Sequence, residues 1–374
     1  MKKIAFVIDS LYNSGGMELS TSIVAGGLTD CYDVTMITGL QCGRHLFYPL
    51  NDKVRYIDLD VYIPKCHIPI FSNWRIKADY KRKLSKFLTC EHFDYVVCLG
   101  GITEYFLPSL KDGSKKIFWF KFEIDIFKIW SVKRRFALLR KLESDLQKKR
   151  MIANVKRFDK VVVLTDHDEQ QWRKYTDKAK RIYNPITLAS PQVSDCTNKR
   201  VIAVGRLDYV KGYDMLIDVW VKVNKKHPDW KLTIFGTGKD RAALAKQIED
   251  LGLEKVVILP GATKHISEEY AKSSIFVSSA REEGFGNVMT EAEASGLPVV
   301  AFDCPYGPRE IIRDGYNGYL VPLNDKAQMA ERILSLIEDS EKRMLMGKRS
   351  LEVVKKFSLG NIINDWKIVF NDLK

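Results

Sequence analysis

The chain has 374 residues, 45% of them hydrophobic, and a formal net charge of +13 at pH 7. This length suits two or three globular domains, each large enough to bury a core of its own. No apolar run approaches the roughly 20 residues that span a bilayer, and the first residues lack the features of a signal peptide, so we expect a soluble or membrane-peripheral protein.

Short apolar runs rich in Val and Ile recur along the chain with helical stretches between them. Runs that are apolar on both faces are typical of buried parallel strands in βαβ units. In the first half they are Ile4–Ile8, Val34–Ile37, Tyr95–Leu99, Ile117–Trp119 and Val161–Leu164. In the second half they are Val201–Val204, Leu232–Phe235, Val256–Leu259, Ile275–Ser278 and Val299–Phe302. Because the pattern occurs twice, we predict an α/β protein with two doubly wound parallel-sheet domains that face each other across a cleft.

The boundary between the domains is predicted near residues 184–198, a stretch rich in Pro, Ser, Thr and Asn with little periodicity. We predict an N-terminal domain over residues 1–188 and a C-terminal domain over residues 189–357. The last segment, 358–374, is predicted to be a helix that joins the N-terminal domain.

The strongest candidate motif is EGFGNVMTE, residues 283–291, which follows a predicted strand. Its glycines, Gly284 and Gly286, allow the backbone to approach a ligand closely. Asn287 should begin a helix whose free amides favour anions. Glu283 could accept hydrogen bonds from sugar hydroxyls, and Glu291 from ribose hydroxyls. The alternative is that this segment is only a glycine loop followed by the acidic start of a helix, with no ligand.

A second motif places Arg206 and Lys211 in the turn after the strand Val201–Val204. Arg offers a planar fork for phosphate oxygens and Lys a compact charge, so the two could neutralise a departing diphosphate. In a third motif, Gly15 and Gly16 follow the first strand and could present amides to a phosphate or an acceptor. A solvated basic turn and a plain strand-to-helix turn are the alternatives for these two motifs.

Metal and disulfide sites are not expected from the sequence. The seven cysteines form no CxxC pair, and the six histidines show no ligand spacing. Asp166-His-Asp168 and Asp58-Leu-Asp60 resemble metal-binding carboxylate pairs, but Thr165 with Asp168 is better explained as a helix cap. Reduced thiols indicate a cytosolic protein.

Three segments together resemble the retaining glycosyltransferases of family four, and in particular the bacterial branch that builds exopolysaccharide, capsule and lipid-linked oligosaccharides. They are Val204–Gly212, Glu283–Glu291 and Asp303–Ile312. The resemblance covers most of residues 155–345 and is weaker over 1–150. It implies the GT-B architecture of two Rossmann-like domains and transfer from a nucleotide-sugar, expected to be a UDP-sugar, with retention of the anomeric configuration.

The resemblance also implies roles for individual residues. Glu283 would hold the donor sugar, Glu291 the ribose, and Arg206 with Lys211 the diphosphate, so that no metal is required. The backbone of Gly284, Phe285, Gly286, Asn287 and Val288 would touch the sugar and phosphates. Gly261 and Ala262 stand where relatives hold the base.

One position departs from the family. Relatives often carry a histidine near the reacting sugar after the strand Ile117–Trp119, and here Lys121 occupies that position. Lys121 could meet a sugar hydroxyl or phosphate in its place. Glu123 or Asp125 could contact the acceptor, or both could be ordinary loop charges.

Positive charge is concentrated in the first half, where residues 1–188 carry 33 Lys and Arg against 21 Asp and Glu. The stretches 74–86 and 128–157 are the most basic, and Trp74, Phe127 and Trp130 accompany them. A leucine stripe, Leu138, Leu142 and Leu146, lies within the second stretch. This composition favours a peripheral enzyme at the anionic inner face of the cell membrane, although core helices with solvated basic faces would look similar. No motif supports nucleic-acid binding.

Together these features predict a transferase that moves a hexose or N-acetylhexosamine to a lipid-linked or polysaccharide acceptor in bacterial surface glycan synthesis. Two alternatives remain open. One is a UDP-sugar epimerase of the same fold, which would need acid and base carboxylates and no acceptor site. The other is a non-catalytic nucleotide-sugar binder, against which the presence of Arg206, Lys211, Glu283 and Glu291 argues.

Overall fold

The structure is a computed structural model that describes residues 1–61, 69–122, 124 and 137–373, without the side chains of 69–73 and 137–143. The chain divides into two compact units. Unit 1 comprises Met1–Pro185 together with Leu359–Lys374, and unit 2 comprises Ile186–Ser358.

Unit 1 is built on a parallel sheet of seven strands in the order β3-β2-β1-β4-β5-β6-β7. The strands are β1 (Lys3–Val7), β2 (Asp33–Thr38), β3 (Arg55–Asp58), β4 (Tyr95–Cys98), β5 (Lys115–Trp119), β6 (Lys160–Val163) and β7 (Ala179–Arg181). The order reverses between β1 and β4, which is the topological switch point of a doubly wound sheet. The inner strands are apolar on both faces because helices cover both.

The helices of unit 1 are α1 (Gly16–Leu28), α2 (Pro69–Glu91), α3 (Ala137–Val155), α4 (Asp166–Arg173) and, from the end of the chain, α12 (Leu359–Asn371). Gly27 lets α1 and α12 approach closely, since a Cβ there would lie 2.9 Å from the Cδ1 of Ile363. Trp366 on α12 is fully buried and meets Trp119 of β5 edge to face, with ring centroids 4.8 Å apart. The C-terminal helix is therefore part of the core of unit 1.

Unit 2 contains a parallel sheet of six strands in the order β10-β9-β8-β11-β12-β13. The strands are β8 (Arg200–Val204), β9 (Lys231–Phe235), β10 (Val257–Gly261), β11 (Ile275–Ser278), β12 (Val299–Phe302) and β13 (Gly318–Val321). The helices are α5 (Tyr213–Lys226), α6 (Arg241–Asp250), α7 (Ile266–Ala271), α8 (Asn287–Ala294), α9 (Pro308–Ile311), α10 (Lys326–Glu338) and α11 (Ser340–Val353). The switch point of this sheet lies between β8 and β11.

Each of the ten predicted apolar runs overlaps a strand of one of these two sheets. The prediction missed β3, β7 and β13, which are short edge strands, and β3 and β7 also have few apolar residues. The cap at Thr165 is confirmed, because its Oγ1 accepts a hydrogen bond of 3.0 Å from the backbone N–H of Asp168. Among the described helices, none has the length and apolar character needed to cross a membrane.

The basic stretch 74–86 lies on α2, whose apolar stripe is buried in the core of unit 1: Ile76, Tyr80, Leu84 and Leu88. Arg75, Lys81 and Lys86 are exposed on this helix, and the side chain of Trp74 is 69% exposed. In the stretch 128–157, the three leucines of the predicted stripe lie on α3, and Leu146 is 48% exposed. Residues 128–136 and the side chains of Leu138 and Leu142 lie outside the described residues. The candidate acceptor residues Glu123 and Asp125 also lie outside them.

Candidate active site

The turns that follow β8 and β11 lie side by side in unit 2, because these two strands are neighbours on either side of the switch point. Ligands of doubly wound sheets bind at this crevice, outside the carboxyl ends of the strands. The turn after β8 carries Arg206 and Lys211, and the turn after β11 carries Glu283 and the glycines. Topology alone therefore brings the two strongest sequence motifs together.

Lys211 and Glu283 make direct contact across these two turns. The Nζ of Lys211 donates a hydrogen bond of 2.5 Å to Oε2 of Glu283. The guanidinium of Arg206 is 73% exposed, and its Nε donates to Asp208 at 2.6 Å. Each of the two cations is thus paired with a carboxylate. A diphosphate that reached this crevice would compete with Asp208 and Glu283 for the same N–H groups.

Helix α8 begins at Asn287, as the sequence predicts, and Gly286 before it adopts the left-handed conformation with φ of 102°. The side chain of Phe285 is buried and packs against Phe357, so it is not available to a ligand. The amides at the start of α8 lie in the same turn as Glu283. This arrangement combines an anion-binding helix start, a lysine and a carboxylate.

The Gly236-Thr-Gly238 segment, which the sequence analysis did not count as part of the site, supports the turn after β8. A Cβ on Gly236 would lie 1.9 Å from the carbonyl oxygen of Gly205, and one on Gly238 would lie 2.2 Å from that of Leu207. Leu207 also donates its N–H to the carbonyl of Thr237 at 2.8 Å. Both glycines are required for this close approach, and a glycine pair after a strand was the only available signal.

Glu291 is half-buried, and each oxygen of its carboxylate already accepts a hydrogen bond from another side chain. The hydroxyl of Thr187 donates to Oε1, and that of Tyr270 donates to Oε2 at 3.0 Å. Burial raises the pKa of Glu291, and these two hydrogen bonds oppose the rise. A ribose hydroxyl would share the carboxylate with the Thr187 and Tyr270 hydroxyls, because each carboxylate oxygen can accept more than one hydrogen bond. The ribose role of Glu291 stays a prediction.

Gly261 is the last residue of β10 and has a φ of 96°, and Ala262 is exposed directly after it. The carbonyl of Gly261 accepts a hydrogen bond of 2.9 Å from the N–H of Gly236. The two residues that we expect to hold the base are therefore tied by the backbone to the turn after β9. Their contact with a base also stays a prediction.

In unit 1, Gly15 caps helix α1 and Gly16 is its first residue, at the carboxyl end of β1. The buried Glu18 lies against this loop, with Oε2 2.3 Å from the place that a Cβ on Gly15 would take. Burial raises the pKa of Glu18, while its own backbone N–H, the side chain of Asn13 and the charge of Lys121 oppose the rise. Sequence analysis missed Glu18. An acidic residue in the first turn after two glycines was the available signal.

Lys121 follows β5 and is 8% exposed. Its Nζ donates hydrogen bonds of 2.9 Å to Oγ of Ser20 and to Oδ1 of Asn184, and it lies 3.2 Å from the centroid of the Trp119 ring. Burial lowers the pKa of Lys121 well below its usual value, and the charge of Glu18 opposes this. Its reactive role stays a prediction.

The residues proposed for the donor therefore fall into two sets. Unit 2 contains Arg206, Lys211, Glu283 and the backbone of residues 284–288, and unit 1 contains Gly15, Gly16 and Lys121. Within the described part of the chain, no group of three or more His, Cys, Asp or Glu side chains could hold a metal ion.

Comparison with known proteins identifies the chemistry. Residues 189–353 match the family described as glycosyl transferases group 1. An uncharacterized glycosyltransferase of Haemophilus influenzae is 29% identical over 98% of this chain and 99% of its own length. The amylovoran biosynthesis glycosyltransferase AmsD of Erwinia amylovora is 28% identical over 99% of this chain and its whole length. This protein is a glycosyltransferase.

Solved structures of other proteins have the same fold as this glycosyltransferase. TarM of S. aureus, in a crystal structure with fondaparinux, alpha-GlcNAc-glycerol and UDP, is 19% identical and has a TM-score of 0.78 over 99% of this chain and 100% of that one. The two Rossmann-like sheets are therefore the GT-B fold, as the resemblance implies.

Two carboxyl groups of the glycosyltransferase lie at the switch point of unit 1, and the sequence analysis missed both. Asp9 follows β1, and its Oδ2 accepts a hydrogen bond of 3.2 Å from the N–H of Ile102, after β4. Burial raises the pKa of Asp9 to about 6 and that of Glu104 to about 7. The Oδ1 atom of Asp9 is buried and has no hydrogen-bond partner among the residues that the structure describes. In the sequence, only their position after predicted strands indicated that Asp9 and Glu104 could belong to a site.

Asp9→Asn and Glu104→Gln should make the stability of the enzyme depend less on pH. The folded state keeps both carboxyls protonated to higher pH than the unfolded state does, so their contribution to the free energy of unfolding falls as pH rises from about 4 to about 7. Each variant should gain stability over wild type between pH 5 and pH 8, by on the order of 1–3 kcal/mol. Chemical denaturation at the two pH values measures this, and a pH-independent difference would contradict it.

Proposed function

We propose that the enzyme transfers a hexose or N-acetylhexosamine from a UDP-sugar to a lipid-linked or polymeric glycan acceptor, with retention, in bacterial surface glycan synthesis. The observation that carries this proposal is the contact between Lys211 and Glu283 at the switch point of unit 2, beside the start of α8. The names of two relatives support it: AmsD acts in amylovoran biosynthesis, and TarM was solved with UDP and alpha-GlcNAc-glycerol.

Binding of the donor would exchange partners at this pair. The diphosphate takes the N–H groups of Lys211 and Arg206, which releases the carboxylate of Glu283. Glu283 then accepts hydrogen bonds from the hydroxyls of the donor sugar. Recognition of the diphosphate and of the sugar is thus coupled. The diphosphate binds Lys211 and the sugar binds Glu283, so each half of the donor stabilises the state in which this ion pair is open.

Transfer itself depends on the negative charge that grows on the departing diphosphate. Preorganised cations stabilise this charge more in the transition state than in the bound donor, so they accelerate the reaction. Arg206 and Lys211 supply that positive charge in the proposal, and no metal is assigned a part in it. The acceptor hydroxyl attacks from the side that the nucleotide leaves, which retains the configuration of the sugar.

The proposal is tested by incubating the full chain with UDP-glucose, UDP-galactose and their N-acetylated forms, with and without bacterial membrane lipids as acceptor source. We expect UDP release with one donor to rise when the lipids are added, and the sugar to appear in the lipid fraction. Interconversion of two UDP-sugars without any acceptor would instead favour an epimerase. Binding without turnover under every condition would favour a non-catalytic binder.

The membrane-facing part of the proposal concerns the exposed basic side of α2, with Arg75, Lys81, Lys86 and the exposed Trp74. Each cation near an anionic surface contributes about 1 kcal/mol to binding. The variant with Arg75, Lys81 and Lys86 all changed to Ala should therefore bind phosphatidylglycerol vesicles about 100-fold more weakly at low salt, by sedimentation. The matched control changes Lys222, Lys225 and Lys226 on α5 to Ala. Equal binding by both variants at low salt would show that α2 does not face the membrane.

A further inference from the structure

Arg281 joins the two turns that carry the proposed donor-binding residues. It lies in the turn after β11, two residues before Glu283, and its side chain is only 16% exposed. Its Nη1 donates to the carbonyl of Tyr209 at 2.7 Å, and Tyr209 begins the single 3₁₀ turn that ends at Lys211. The backbone N–H of Arg281 donates to the carbonyl of Val210 at 2.8 Å.

The guanidinium of Arg281 is also held from a second side. It forms a two-pronged ion pair with Asp214, at 2.8 Å from Nη1 to Oδ1 and 2.6 Å from Nη2 to Oδ2. Asp214 lies in the first turn of α5, where a negative charge is favoured by the helix dipole. The ring of Tyr209 lies 4.1 Å from the guanidinium carbon. Tyr209 and Asp214, on two different elements, therefore fix this one side chain.

A hydrogen bond from Ser279 continues this connection. Its Oγ donates to the carbonyl of Lys211 at 3.0 Å, and a Cβ on Gly212 would lie 2.1 Å from the carbonyl of Ser279. The backbone on both sides of Lys211 is thus held against the turn after β11. The Nζ of Lys211 also reaches Glu283 in the turn after β11. The position of this amino group therefore depends on how the turns after β8 and β11 are held together.

We propose that Arg281 is a positioning residue for the transfer reaction, which holds Lys211 and Glu283 in register while making no contact with the donor itself. The inference rests on the proposed function of Lys211 at the diphosphate. The hydrogen bonds of Arg281 point to Tyr209 and Asp214 rather than towards the crevice. A planar fork is needed for them, because one ammonium group cannot hold a carboxylate by both oxygens and a carbonyl in this geometry.

The test is a double-mutant cycle between Arg281→Ala and Lys211→Ala, with UDP release from UDP-N-acetylglucosamine and UDP-glucose as the readout and titration with UDP as the binding measurement. A misplacement of about 1 Å at a reacting group can cost about 100-fold in rate. We expect Arg281→Ala alone to lower kcat by about 10- to 100-fold, and Arg281→Lys to restore little of it. In the Lys211→Ala background, Arg281→Ala should cost less than about 3-fold, because its effect passes through Lys211.

Arg200→Ala is the matched control. Arg200 is the first residue of β8, at the opposite end of the strand from the turn that carries Lys211. Its side chain is 20% exposed and pairs with Glu269 at 2.7 Å. It should lose a comparable amount of thermal stability and keep the kcat of wild type. Equal rate losses from Arg281→Ala with and without Lys211, or an equal loss in Arg200→Ala, would overturn the positioning role. A wild-type protein that neither binds UDP nor releases it would instead contradict the proposed function, and the inference would fall with it.

Discussion

Lys211→Ala is expected to lower kcat/KM for sugar transfer by about 100- to 1,000-fold, a loss of about 3–4 kcal/mol of transition-state stabilisation. The affinity for UDP should fall much less, by about 10-fold, because the charge on the diphosphate is larger in the transition state than in the bound donor. Rates from UDP release and dissociation constants from titration with UDP separate the two effects. The same comparison applies to Arg206, whose exposed guanidinium we expect to contribute less.

Two further variants make the result interpretable. Removal of the amino group leaves the carboxylate of Glu283 without its partner at 2.5 Å, which could itself repel a diphosphate. The double variant Lys211→Ala with Glu283→Gln removes that repulsion and should still transfer poorly. Lys222→Ala, which removes an exposed lysine from α5, should behave as wild type. Equal losses in UDP affinity and in kcat/KM would contradict a role in the transition state.

Trp366→Ala is expected to destabilise unit 1 by about 3–5 kcal/mol, since it removes a large aromatic side chain from a close-packed core. Trp366 is fully buried on α12 and contacts the rings of Trp119, Phe6 and Phe370. Within the described part of the chain its indole Nε1 has no hydrogen-bond partner, so Trp366→Phe should destabilise unit 1 considerably less than Trp366→Ala. Urea unfolding followed by far-ultraviolet circular dichroism measures both.

The control for this prediction lies on the same helix. Ile368 is 51% exposed, and Ile368→Ala should change the free energy of unfolding by no more than about 0.5 kcal/mol. The loss in Trp366→Ala should appear in the unfolding of unit 1, because the C-terminal helix belongs to that unit. A transition as stable as that of wild type would show that α12 is not needed by the core of unit 1.

The presence of two parallel sheets could be anticipated because buried parallel strands have continuous runs of Val and Ile. Each of the inner strands has such a run. The edge strands β3 and β7 were missed because they have few apolar residues, whereas β13 was missed although Tyr, Leu and Val follow its glycine. The composition change after Asn184 lies beside the observed division between Pro185 and Ile186.

The part of the candidate site that lies in short, continuous sequence motifs could be predicted. Arg206, Lys211 and Glu283 follow strands that the sequence also predicts, and adjacency of β8 and β11 brings them together. The role proposed for Arg281 depends on contacts between segments distant in sequence, so no local pattern indicated it. The occupied carboxylate of Glu291 could not be anticipated for the same reason, since its partner Thr187 lies 104 residues away.

The central claim, that the Lys211–Glu283 pair binds a UDP-sugar, is tested most directly by a thermal-shift screen of UDP-, GDP-, ADP- and dTDP-sugars on wild type and Lys211→Ala. A ligand at about 100 times its dissociation constant stabilises a protein by about 2.7 kcal/mol, which is readily measured. We expect a selective rise in the unfolding temperature of wild type with one UDP-sugar and a rise about half as large in Lys211→Ala, whose affinity is expected to be about 10-fold lower. No rise with any donor, or the same rise in both proteins, would contradict the account.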